Sequence, residues 1–174
     1  MPAIAGAALF GCVGAVAQGS AGGESAGSSE FAGLVLAMHN SARSAVAVEP
    51  LRWNDTLARQ ASDWAGRLAM QGRLEHAPAS RAGSGHGENL WIGTRGAFDP
   101  EEMVQHWLDE QRHIRPGQAV QIGKGGNLAS VGHYTQMVWR GTRQVGCGIG
   151  RGPRYDVLVC RYDPPGNLIG SSAY

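Results

Sequence analysis

At 174 residues, 43% of them hydrophobic, the chain is long enough for one domain with a substantial core and too short for two ordinary ones. Its 15 basic and 14 acidic residues leave a formal net charge of +1, and Lys124 is the single lysine. No basic stripe exists, which excludes an electrostatic nucleic-acid binder.

The chain opens on an apolar run, Ile4 to Val16, of the length of a secretory leader, and Ala15-Val16-Ala17 before Gln18 fits a small-x-small cleavage site. The run is too short to span a membrane as a helix. Residues 1–17 are therefore expected to be a signal peptide, removed on export together with Cys12, although its start carries no Lys or Arg. Leu9-Phe10-Gly11-Cys12 is a poor lipoprotein box because Phe10 is bulky. Gln18 to Ser29, rich in Gly, Ser and Ala, reads as a disordered linker. The 27 glycines are expected to mark this leader and linker and a long loop over Gly117 to Gly132, not the core.

Helical periodicity begins at Ser29, with Phe31, Leu34, Val35, Met38 and Ala42 on one face. His39 lies on that helix without a carboxylate or second histidine at i±4, so a structural role is expected. A second helix starts from an Asn54 N-cap, carries Leu57, Ala61, Trp64 and Leu68 as its stripe, and ends at Gly72. A polar loop, Arg73 to Gly87, holds His76 and is followed by Gly87-Glu88-Asn89-Leu90-Trp91. The third helix has the clearest local grammar: Asp99 as N-cap, Pro100 at N1 and Glu102 closing a capping box. Met103, Val104, Trp107 and Leu108 form its apolar face, and Glu110 falls on the same face. A carboxylate there is costly unless it is paired, with Arg43 or Arg112 for example, or bound to a cation. His106 and His113 read as a partly exposed pair, and Ile114 to Val131 as a mobile Gly-rich loop beside a cleft.

Thr135, Met137 and Trp139 alternate with Gln136, Val138 and Arg140, which predicts a strand with His133 at its mouth. Val145 to Ile149 and Asp156 to Tyr162 repeat the alternation around Gly150, Gly152 and Pro153, predicting a hairpin. Cys147 and Cys160 fall one in each arm. An even cysteine count in an exported chain favours a disulfide between them, with two buried free thiols as the alternative.

Gly132 to Trp139, GHYTQMVW, followed by Gly146-Cys147, and Val159 to Asn167, VCRYDPPGN, followed by Leu168-Ile169-Gly170, resemble the two signature motifs of the CAP superfamily: cysteine-rich secretory proteins, antigen-five and pathogenesis-related proteins, or the SCP domain. Weaker echoes run back to about Phe31, so the resemblance covers residues 30–174. It implies an α+β fold, a three-layer α-β-α sandwich with a central antiparallel sheet of at least three strands. It also maps His76, Glu88, Glu110 and His133 onto the family's cleft tetrad, with His86 on the rim where relatives often carry an aromatic residue. His76 and His133 would ligate a divalent metal, zinc by its preference for nitrogen and oxygen donors, with the two glutamates close by.

What the resemblance implies for function is a secreted, monomeric binding module, extracellular or periplasmic according to the source. It would take a sterol or fatty acid along the first helix and the 114–131 segment. A metal-dependent hydrolase using Glu88 and Glu110 on the same tetrad, and a scaffold that presents loops to a protein partner, are the alternatives.

Overall fold

The computed structural model describes residues 22–78, 85–121 and 126–174. The expected leader, the start of the linker and parts of both expected loops lie outside the described residues. In chain order the elements are α1 (Gly22–Ala45), β1 (Arg52–Trp53), α2 (Asp55–Gln71), β2 (Gly87–Thr94) and α3 (Pro100–Leu108). A 3-10 turn (Asp109–His113), α4 (Leu128–Met137), β3 (Gln144–Arg151) and β4 (Tyr155–Asp163) follow.

Local chemistry sets the helix ends. The Asn54 side chain accepts hydrogen bonds from the Thr56 and Leu57 backbone amides at 2.8 and 3.0 Å, and Gly72 closes α2 in the left-handed region at φ 66°. At α3, Asp99 and Glu102 form the reciprocal capping box, with Pro100 just inside. Three expectations are corrected at the other helices. Helix α1 starts at Gly22, seven residues ahead of the expected Ser29. Helix α3 ends at Leu108, which puts Glu110 on the 3-10 turn.

The third correction concerns Thr135 to Trp139, which is no strand: Leu128–Met137 is α4, and His133 lies on it. Every residue from Tyr134 to Trp139 is buried, so the alternation seen in the sequence tracks no face. The face that matters is Val131, Tyr134, Thr135 and Val138, at helical spacing.

Among the described residues the sheet has four strands in the order β1-β3-β4-β2, antiparallel except for the short parallel pair of β1 with β3. Helix α2 covers one face; α1, α3 and α4 cover the other. Val157 and Val159 of β4 meet Ala61, Trp64 and Leu68 on the α2 side, and Leu158, Cys160 and Tyr162 meet Val35, Met103 and Trp107 on the opposite side. A strand buried on both faces explains the unbroken apolar run at Val157 to Cys160. β3 and β4 are the expected hairpin, and their register sets Cys147 directly opposite Cys160, joined as a disulfide.

The core also corrects the expectation that glycine stays outside it. Gly146, Gly148 and Gly150 are buried on the α2 face of β3, and a Cβ on any of them would enter the helix: at Gly148 it would lie 2.6 Å from Ser62 Cα, and at Gly146 2.7 Å from Leu57 Cβ. The stripe lets α2 lie directly on the strand. We expect Gly148→Ala to lower the unfolding free energy by about 3 kcal/mol, the upper end of ordinary overpacking. Gly33→Ala on α1, where an added Cβ meets nothing within 4 Å, should raise it by about 0.5–1 kcal/mol. Urea titration of both variants checks the contrast, and equal effects would show that the helix can move off the strand.

Candidate functional site

Strand β2 is a sheet edge, and its alternation sends consecutive residues to opposite faces. Glu88 points to the α2 side. Its Oε1 accepts from the Ala77 backbone amide at 3.0 Å and from His76 Nδ1 at 2.9 Å, while Arg161, its cross-strand partner, brings Nη2 to 3.5 Å from Oε2. The carboxylate is 9% exposed, and these contacts offset its desolvation. Among the described residues His76 is held only at this one end, and its side chain is 71% exposed. A carboxylate can only accept, so Nδ1 carries the proton and Nε2 has no hydrogen-bond partner among the described residues.

Asn89 points the other way. Its Nδ2 donates to the His133 carbonyl at 3.0 Å and to the Tyr162 hydroxyl at 3.1 Å. The same hydroxyl meets His39 Nε2 at 2.9 Å, and His39 Nδ1 lies 2.8 Å from the Val35 carbonyl. Burial pushes the His39 pKa down to about 4, so the ring is neutral. Its proton is on Nδ1, donated to the Val35 carbonyl, and Nε2 accepts from Tyr162, whose own pKa burial holds well above 10. His39 is thus structural, as its sequence surroundings imply.

His133 is fixed from three directions. Glu110 Oε1 lies 2.6 Å from His133 Nδ1, and its Oε2 accepts from the His133 and Tyr134 backbone amides at 2.9 and 3.1 Å. Trp107 stacks on the imidazole with an interplanar angle of 14°. Asn89 holds the carbonyl. The pairing that Glu110 requires is therefore met by His133 and not by Arg43, which is buried and donates to the carbonyls of Glu49, Met137, Trp139 and Thr142.

His76, Glu88 and His133 line a single cleft of about 530 Å³, together with His86, Asn89, Gln136 and the Pro165 to Asn167 turn. Glu110 stands behind His133 and does not line it. Among the described residues no three His, Cys, Asp or Glu side chains converge as a ready ligand set. Asn89, Tyr162, Gln136 and Asn167 are not among the residues singled out from the sequence, although each carries a signal: Asn89 follows Glu88, Gln136 lies in GHYTQMVW, and Tyr162 and Asn167 lie in VCRYDPPGN. His106 and His113 lie outside the cleft, on α3 and the 3-10 turn.

The hydrogen bond to Glu88 raises the His76 pKa above 6.5, against the opposing pull of burial. A raised pKa means that the contribution of this pair to stability is fully present below 6.5 and is lost as pH rises through the folded value. In metal-free protein, the NMR titration midpoint of His76 is expected above 6.5 and should return towards it in Glu88→Gln. An unchanged midpoint in that variant would show that the carboxylate is not the cause.

The profile of the family described as "Cysteine-rich secretory protein family" matches residues 36–162. Pathogenesis-related protein 1C of Nicotiana tabacum is 36% identical over 140 residues, covering 80% of this chain and 78% of that protein. Pathogenesis-related leaf protein 4 of Solanum lycopersicum is 38% identical over 140 residues, with 80% of each covered. Among solved structures, NaASP2, in a crystal structure with Zn2+, superposes with a TM-score of 0.72 at 28% identity, over 85% of this chain and 87% of that one. Matching motifs, the family profile over residues 36–162 and relatives over four-fifths of its length agree: the chain belongs to the CAP family of cysteine-rich secretory and pathogenesis-related proteins.

Proposed function

We propose that this chain is a secreted binding protein that takes a divalent metal, zinc first, between His76 and His133, and an apolar ligand such as a sterol or fatty acid in a separate groove. The observation that carries the metal reading is that both imidazoles present Nδ1 to a carboxylate, at 2.9 and 2.6 Å. Histidines that bind metals are oriented in this way, with the second nitrogen left for the ion. The donor set, two imidazoles backed by two carboxylates, suits zinc, and the relative NaASP2 was crystallised with Zn2+. Zinc held there would supply a Lewis-acidic centre for a ligand oxygen.

Binding is favoured over hydrolysis because both carboxylates are already committed. Glu110 serves His133 and two backbone amides through both oxygens, and Glu88 serves His76 and the Ala77 amide through Oε1 while its Oε2, 3.5 Å from Arg161 Nη2, is buried away from water, so neither is placed to draw a proton from water. The apolar ligand has a candidate groove of about 670 Å³ between α1 and the end of α3, lined in part by Met38, Ala42, Ala45 and Leu108 and elsewhere by polar side chains that include Gln105, Asp109 and Arg112. Its walls include α1, as the resemblance implied, but none of the 114–131 segment. Export is supported by the secretory family, by the disulfide and by the leader expected over residues 1–17.

Protein purified without chelator is expected to carry about one zinc per chain and to lose it in the His76→Ala/His133→Ala double variant, with fatty-acid binding kept because the groove is elsewhere. Elemental analysis and a fluorescent fatty-acid titration on both proteins check this. No zinc in the unmutated protein after loading would overturn the metal reading, and peptide hydrolysis lost with the zinc would favour the enzyme.

A further inference from the structure

We propose that His86 is a third imidazole of the metal cleft, which sets the affinity of this chain for nitrogen-preferring ions such as zinc. The inference rests on the metal reading of the cleft given above. The strand register places the residue. Gly87 pairs with Tyr162, so one step further along the ladder sets His86 against Asp163, and the alternation that directs Glu88 towards His76 directs His86 to the same face of the strand. His86 lines the cleft with His76 and His133, and its Nδ1 lies 3.6 Å from Asp163 Oδ1.

The histidines sort cleanly by partner. Of the six in the chain, three have a carboxylate facing Nδ1 among the described residues: His76 with Glu88, His133 with Glu110 and His86 with Asp163. These are the three that line the cleft. The others are tied elsewhere: His39 and His106 to backbone carbonyls of Val35 and Glu102, and His113 to the Arg112 guanidinium. The His86 pair also differs from its two neighbours. At 3.6 Å it is too long for a hydrogen bond, and Nδ1 is buried without a partner among the described residues. A buried nitrogen left in that state carries a desolvation cost. Coordination of an ion at Nε2 would polarise the Nδ1–H towards Asp163 and relieve it, the support that metal-bound imidazoles commonly receive. The three rings do not converge as a ready set in the structure. The ion would gather them, with His76, the most exposed, free to move.

The test uses the full secreted chain, with zinc and copper(II) as probes. Zinc affinity is measured by competition with a chromophoric chelator, and imidazoles bound to copper(II) are counted by electron spin-echo modulation. Unmutated protein should show three imidazoles. His86→Phe, which keeps the ring volume, should show two and bind zinc at least about tenfold more weakly, since even the outer partners of metal ligands are worth that much. His86→Gln serves the same purpose if the Phe variant does not fold, and His113→Ala should match the unmutated protein. Equal affinity and an equal imidazole count with and without His86 would overturn this inference and leave the two-histidine site standing. No metal binding by the unmutated protein would overturn both.

Discussion

The Tyr162 hydroxyl is the point on which the geometry of the cleft depends. It donates to His39 on α1 and accepts from Asn89 on β2, and Asn89 reaches on to the carbonyl of His133 on α4. One buried oxygen on the central strand therefore ties both helical and sheet elements to the backbone that carries a cleft histidine. The chain has a single direction of donation because His39 is neutral and gives its only proton to Val35. Inside a core of low polarity such a chain is strong when every member is satisfied and costly when one is removed. It fixes where α4 sits against β2, which apolar packing alone does not do to within a fraction of an ångström.

The two faces of the sheet are held by different physics. On the α2 side the glycine stripe of β3 removes side chains altogether, and helix and strand meet backbone to backbone. On the other side large side chains fill the space, and the ends of the elements are gathered by Arg43. Among the described residues its guanidinium takes four carbonyls and no carboxylate, and burial beside Arg143 pushes its pKa down only to about 10, so it stays charged at neutral pH. Two of those carbonyls lie at the end of α4, Met137 as its last residue and Trp139 just beyond it, where a cation also meets the negative end of the helix dipole. The helix that carries His133 is thus anchored at its middle by Asn89 and Glu110 and at its end by Arg43.

How much of this could be read from the sequence depends on the range of the interaction. Caps are local, and Asn54, Gly72 and the Asp99–Glu102 box behave as their spacing implies. The β3–β4 hairpin is nearly local and its cysteines confirm the register. The identity of α4 was not legible, because complete burial from Tyr134 to Trp139 erases the contrast between apolar and polar positions on which periodicity relies. Glu110 was visible as an anomaly, a carboxylate on an apolar face, but its partner lies 23 residues away across a loop and no spacing rule identifies it. The role of Gly146, Gly148 and Gly150 was hidden for the opposite reason: glycine in a strand reads as weakness until the helix that needs the room is known.

The position of the cleft at a sheet edge makes it a reporter of strand register. Glu88 and Asn89 are neighbours in sequence but serve opposite faces, one holding His76 from the α2 side and the other holding the backbone of His133 from the α4 side. A slip of one residue between β2 and β4 would exchange them, placing a carboxylate against the Tyr162 hydroxyl and an amide against Arg161. Neither exchange is tolerable: the first buries a charge without a cation, and the second leaves Arg161 without its cross-strand carboxylate. The two side chains that hold His76 and the backbone of His133 therefore also reject the wrong register. Glu88 thus acts twice, holding Nδ1 of His76 and fixing the register of the strand that brings Asn89 to the backbone of His133.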